Sequence, residues 1–253
     1  MSFAPLPATA CWQHRAARSG FEVAYFQAAP GGWHMDGTTA AVEDGQTWIV
    51  SYSIRLDAAW NTREARVTAR TASGPHETLL ACDGAGRWHV DGRAAAHLDG
   101  CLDVDLESSA LTNTLPVHRL GLAAGARAAV PAAYVRALGL RTERLEQSYA
   151  RLPDETGHQR YRYAAPAFGF TCTLIYDDSG LVLDYPGIAV RAADLLRTPF
   201  EPVRPFLANA AMFACRARAG RMPVSGGNNK APSMYEMEGA LPGCVALGSP
   251  VAR

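Results

Sequence analysis

The sequence predicts an all-β fold, and three observations carry that expectation. Five Asp-Gly dipeptides, at 36, 44, 83, 91 and 99, together with Asp177-Asp178-Ser179-Gly180, punctuate short apolar runs. Asp-Gly supplies the positive φ angles that tight hairpin turns need. The runs between these turns alternate apolar and polar residues with the period of two of a half-buried strand. The chain also has no strand–helix–strand alternation and no glycine-rich phosphate loop, which argues against an α/β nucleotide-binding unit.

At the N-terminus, Ala8-Thr9-Ala10-Cys11 is lipobox-like, but MSFAPLPATACW has no basic start and no apolar stretch. Secretion and lipidation are therefore not expected. No segment approaches the ~18 apolar residues of a spanning helix. The expectation is a cytoplasmic protein.

Trp48, Val50, Tyr52, Ile54 and Leu56 fall on one face of an extended segment, with Thr47, Ser51, Ser53 and Arg55 opposite. After a bend at Trp60-Asn61, Ala65, Val67 and Ala69 alternate with Glu64, Arg66, Thr68 and Arg70, so the pair reads as a hairpin. Phe21–Gly37 can be laid on His76–Gly92 without a gap, matching Trp33-His34 to Trp88-His89 and Asp36-Gly37 to Asp91-Gly92. Each copy reads as strand, Gly-containing turn, short strand and Asp-Gly turn, a scheme suited to a sheet that rolls on itself.

Residues 101–122 hold the densest chemistry. If Cys101–Glu107 is extended, Leu102, Val104 and Leu106 point one way and Asp103, Asp105 and Glu107 the other. Carboxylates two apart on a strand lie about 7 Å from each other. Their repulsion is ~0.6 kcal/mol in water and roughly 2.4 kcal/mol at an effective dielectric near 20, so a wet stripe is cheap and an enclosed one needs a partner. Both readings stand: a solvated face, or a pocket mouth where Arg119 or a bound cation compensates and the remaining acceptors hold sugar hydroxyls. A polar, turn-prone run follows, in which Asn113 and Thr114 satisfy their own loop backbone or contact a ligand. Leu115–Leu120 then returns the chain, and alternation points His118 away from Arg119, at the surface.

These residues resemble those of a bacterial glycolipid-binding protein family. The resemblance rests on Cys101–Leu106, Thr112–Val117 and Arg119-Leu120, with further matches in Asp57–Trp60, Thr62-Arg63, Gly86–Gly92 and Gly180–Gly187. It covers about residues 10–188. It implies a compact, mostly antiparallel β-roll, similar in shape to bacterial lipoprotein carriers, that holds a lipid or glycolipid. It also favours strands over 126–152, where the spacing of Leu145, Tyr149 and Leu152 is helical.

All five tryptophans lie before residue 90, where large rings fill a sheet core or line a concave one that accepts an acyl chain. Cys172 falls in the alternating set Phe168, Phe170, Cys172, Leu174, Tyr176, as a small apolar core residue. The six cysteines include no C-x-x-C pair and read as free thiols. Asp184-Tyr185-Pro186 reads as a terminal turn, with the Tyr185 hydroxyl at a pocket edge. Beyond Gly187 prolines multiply, and only Arg204–Arg218 has the pattern of a short helix, whose apolar side leaves a membrane-surface contact open.

The 24 basic and 24 acidic residues balance, which disfavours general nucleic-acid binding. The sequence contains no nucleophile elbow, zinc-protease helix, P-loop or dinucleotide fingerprint. The reading is a spiral β-roll or incomplete β-barrel over residues 8–190, followed by a largely irregular tail over 191–253. It is a non-enzymatic binder of an amphipathic lipid or glycolipid, without cofactor or metal. The candidate ligand contacts are Trp60, Asp103, Asp105, Asn113, Thr114, Arg119 and Tyr185. The alternatives are a hydrolase or transferase acting on a glycoconjugate through Asp103 and Asp105, and a filled roll used for protein contacts.

Overall fold

The computed structural model describes residues 3–192. Within them the chain is all-β and mainly antiparallel. The first eight strands are β1 (Thr9–His14), β2 (Ser19–Ala29), β3 (Gly32–Glu43), β4 (Gln46–Asp57), β5 (Thr62–Thr71), β6 (Gly74–Cys82), β7 (Trp88–Val90) and β8 (Arg93–Ala94). They form a meander, each pairing with the next. The expected hairpin is β4–β5, with Tyr52 opposite Val67 and Ile54 opposite Ala65. Trp48, Val50, Tyr52, Ile54 and Leu56 are buried, as the alternation predicts.

After β9 (Asp103–Leu106) and a helix α1 (Thr114–Leu120) come β10 (Arg127–Ala129), β11 (Ala132–Val135), β12 (Thr142–Leu145), β13 (Ser148–Glu155), β14 (His158–Ala165), β15 (Phe170–Tyr176), β16 (Val182–Tyr185) and β17 (Ala189–Arg191). The large sheet has fourteen strands in the order β10-β13-β14-β15-β16-β17-β1-β2-β3-β4-β5-β6-β7-β8. The last strand pairs with the first, Trp12 opposite Arg191 and His14 opposite Ala189, so the two ends of the domain meet in mid-sheet. Its edges do not pair with each other, so the sheet rolls without closing into a barrel. A second sheet, β12-β11-β9, is set apart from it.

The interior beneath the meander is filled. Trp12, Trp48, Trp88, Tyr149, Tyr161 and Tyr176 are all below 2% exposed, and Trp33 and Trp60 pack partly buried against the same core. Trp12, Trp48 and Trp88 are therefore core residues, the default of the two readings the sequence left open for the tryptophans.

Several local expectations are corrected. Asp36-Gly37 is no turn: it lies in mid-strand in β3, whereas Asp91-Gly92 has the paired positive φ angles of a hairpin turn. What Gly37 provides is space, because a Cβ there would come within 2.2 Å of the Tyr52 ring. The apparent repeat of β2–β3 in β6–β7 is thus a likeness of residues with different roles. Strand β9 has no solvated face, since all four residues are buried. It runs parallel to β11, and Thr62 of β5 bonds its other edge through its N–H to Leu102 O and its hydroxyl from Val104 N–H.

The segment expected to return as a strand is the helix α1. Pro116 is accommodated in its first turn, where no intrahelical acceptor is needed. Gly121 stops it in the left-handed conformation, its N–H donating to Val117 O. His118 and Arg119 occupy the last turn, the favourable end of the helix dipole for cations. The candidate helix at 204–218, Cys215, Cys244 and the tail from 193 onward lie outside the described residues. Cys11, Cys82, Cys101 and Cys172 are free thiols. Among the described residues no helix is long and apolar enough to cross a membrane.

Candidate functional site

The site is built around the loop that leaves β9. This loop, residues 107–113, is polar in sequence yet buried, so its groups need partners inside the protein. Glu22, on the inward face of β2 and fully buried, supplies several. Its carboxylate accepts from Tyr52 Oη at 2.6 Å, Ser109 Oγ at 2.5 Å and Ala110 N–H at 2.7 Å. Tyr52 lies across β3 at the place Gly37 leaves open. Burial pushes the Glu22 carboxyl upward, and the hydroxyl and amide donors pull it back. Thr39 Oγ1 donates to Ser108 O, Tyr149 Oη to Asn113 Oδ1 and Tyr176 Oη to Asn113 O. Asn113 is therefore held by tyrosines of the far strands and not by its own loop.

The two aspartates of β9 share a face and differ in partners. Asp103 is bound by Arg119 of α1 through two bonds, Nε at 3.1 Å and Nη2 at 2.6 Å. Burial raises its carboxyl and Arg119 opposes the rise. Asp105 has no such cation. Its Oδ1 accepts from Thr112 Oγ1 at 3.0 Å, and among the described residues its Oδ2 accepts no hydrogen bond. Burial lifts the Asp105 carboxyl to about 6; the Thr112 hydroxyl lowers it, and the negative charges of Asp103 and Glu107 add to the rise.

Asp105 faces a partly open cleft of about 230 Å³. Ser109 and Asn113 join it in the lining, and much of the rest of the lining is aromatic. Tyr163, Phe170 and Tyr185 stand with ring centroids 5.9 to 6.2 Å apart, tilted or edge-on, next to Ile188. Tyr134 and Phe168 continue the wall, 5.5 Å apart, with the Arg136 guanidinium 5.1 Å from each ring. Arg136 also bonds Glu107 at 3.1 Å and Glu143 at 2.7 Å. Arg18 donates to Glu107 O at 2.8 Å, lies 3.5 Å from Glu43 and packs on the Trp48 ring. Burial first, with the field of Asp105, raises the Tyr163 and Tyr185 hydroxyls far above the ordinary phenol value.

Of the candidates named from sequence, Asp105, Asn113 and Tyr185 line this cleft. Asp103, Thr114, Arg119 and Trp60 do not. Thr114 is fully buried at the start of α1, and its hydroxyl has no partner among the described residues. Trp60 stacks on His118 at 3.7 Å and 14°, on the other side of α1's last turn. Its φ of +66° is unusual for a bulky residue, and the stacking accompanies that strain. His118 is no surface residue: it also packs on Phe3, shares a hydrogen bond with Ser179 O, and burial holds its pKa down at about 4. Arg18, Ser109, Tyr134, Arg136, Tyr163 and Phe170 were not singled out from sequence. A signal existed, since six of the nine tyrosines fall between 134 and 185 while every tryptophan lies earlier. Among the described residues no three His, Cys, Asp or Glu side chains converge on a metal position.

Comparison with known proteins adds three findings. The family described as "Putative glycolipid-binding" matches residues 9–191. A crystal structure of a DUF1089 family protein from Pseudomonas aeruginosa is similar at 34% identity and a TM-score of 0.58, covering 67% of this chain and 91% of that one. A beta-barrel-like protein of the domain of unknown function DUF1849 from Brucella abortus aligns at 11% identity and a TM-score of 0.42, over 72% of this chain and 93% of that one. No curated protein matches the chain.

Proposed function

The chain belongs to the glycolipid-binding family just described, and from that premise we propose that the cleft at Asp105 is a non-enzymatic binding site for the headgroup and first carbons of a glycolipid. The observation that carries this reading is one cavity with a polar floor and an aromatic wall. Asp105, Ser109 and Asn113 offer acceptors and donors to sugar hydroxyls, while Tyr163, Phe170, Tyr185 and Ile188 offer apolar surface to the ring face and the adjoining chain. Binding sites typically span ~300–1,000 Å³. At about 230 Å³ this one suits a headgroup with a short stretch of chain, the rest of an acyl chain lying outside.

The hydrolase reading loses support because its two carboxylates are not a pair in one site. Asp103 is held by Arg119 and does not line the cleft. Calorimetric titration of the full-length protein with octyl glucoside tests the proposal. Saturable binding, weakened about tenfold by Phe170→Ala through lost apolar contact, is the expected result. Absence of binding, or binding that Phe170→Ala does not touch, overturns it, and release of free glucose from the probe favours the hydrolase.

A further inference from the structure

Resting on the cleft as the ligand site, we infer that its preferred headgroup carries a protonated amine, seated between the Asp105 carboxylate and the Tyr163, Phe170 and Tyr185 rings. The argument begins with the charges lining the cleft. Arg18 has Glu43 and the Glu107 carbonyl; Arg136 has Glu107 and Glu143. Each arginine has a glutamate within 4 Å, although Arg18 Nε itself makes no hydrogen bond among the described residues. Asp105 is answered by one hydroxyl, that of Thr112, and the charges that act on it, those of Asp103 and Glu107, are negative. It is 6% exposed, lines the cleft, and among the described residues its Oδ2 accepts no hydrogen bond, so that oxygen is open to a donor brought by a ligand.

A buried carboxylate without a cation is costly to the fold, and a ligand that brings the missing positive charge recovers that cost on binding. A neutral hydroxyl recovers only part of it. The aromatic wall strengthens the choice, because the π-faces of Tyr and Phe attract cations within about 6 Å of the ring centroid. The same wall already holds one cation, the Arg136 guanidinium over Tyr134 and Phe168.

Three probes that share a chain and a sugar ring separate the possibilities: octyl glucoside, octyl glucosaminide and its N-acetylated form, titrated calorimetrically into the full-length protein at pH 7. The expected result is a preference for the free amine of about tenfold or more over both neutral probes. Asp105→Asn should bring that ratio to near one. Equal affinity for all three probes overturns the amine inference and leaves the glycolipid reading standing. A preference that persists in Asp105→Asn overturns it as well. Binding of none of the three overturns both. The comparison of probes on the unaltered protein does not depend on how the variant folds.

Discussion

Strand β9 carries the same residue twice, at Asp103 and Asp105, in opposite circumstances. Asp103 is clasped by Arg119, and next to Arg119 on α1 the His118 ring is sandwiched by Trp60 and Phe3. Both Asp103 and His118 have partners inside the chain there. Two residues on, Asp105 has a single hydroxyl, an unused oxygen and a cavity in front of it. One carboxylate is paired inside the fold and the other lines a cleft. Both lie in the same short stretch of sequence, so the sequence alone does not sort them. What sorts them is whether a cation comes back to meet the acid.

The comparison breaks first at Asp103. Arg119→Ala leaves Asp103 buried, charged and unpaired, and loss of one member of such a pair typically costs about 3–5 kcal/mol. For a domain of this size that corresponds to a fall in Tm of roughly 6–20 °C, read by calorimetry at pH 7.5. A change below about 2 °C would show that the pair is ornamental.

At Asp105 the same kind of change should stabilise. Raising the Asp105 carboxyl from 3.8 to about 6 on folding means that the ionised form is disfavoured in the native state. The cost, on the order of 3 kcal/mol, is absent below the unfolded value and complete above about pH 6. Asp105→Asn removes it while the amide oxygen still accepts from Thr112. We expect Tm to rise by about 5–10 °C at pH 7.5 and to be nearly unchanged at pH 4. Asp105→Asn that destabilises at pH 7.5 would mean that Asp105 is satisfied in a way its contacts do not account for.

Acid provides the finest separation. His118 titrates at about 4 in the folded chain against 6.5 for a free imidazole, because burial disfavours its charged form. Its contribution is whole above pH 6.5 and lost as the pH falls toward 4. His14, held down to about 4 by burial and by Arg18, behaves alike. Asp105 acts with the opposite sign over part of the same interval. His118→Gln, whose amide still donates to Ser179 O, should therefore flatten the fall in Tm between pH 6.5 and 4, and Asp105→Asn should steepen it. Parallel profiles for the two variants would refute this assignment of the titrating groups.

How much of this was legible in the chain depends on the range of the interaction concerned. Alternation at 48–56 and 65–69 and the Asp-Gly turns at 44 and 91 are local, set by the pleat and by turn sterics, and they placed the meander correctly. Asp36-Gly37 misled because Gly serves two purposes, and only the approach of Tyr52 from a neighbouring strand shows which one applies. The polar run after β9 read as a turn-prone loop bonded to its own backbone, because its residue types favour local hydrogen bonds. Glu22, 87 residues before Ser109, makes it interior. The helix α1 had signals in Pro116, the Leu111–Leu115 spacing and the Gly121 stop, which the strand periodicity around them outweighed.

The sequence by itself determined the fold class, the hairpin grammar and the segment where the chemistry lies, because these follow from residue-by-residue preferences repeated along the chain. Only the tertiary structure decided that Trp12, Trp48 and Trp88 are core residues, that Arg119 meets Asp103, and that the open cleft lies between Asp105 and the tyrosine-rich strands. The physical reason is that burial and charge pairing depend on what returns from distant sequence. A carboxylate's environment is set by the groups across from it, and the sequence states the carboxylate without stating those groups.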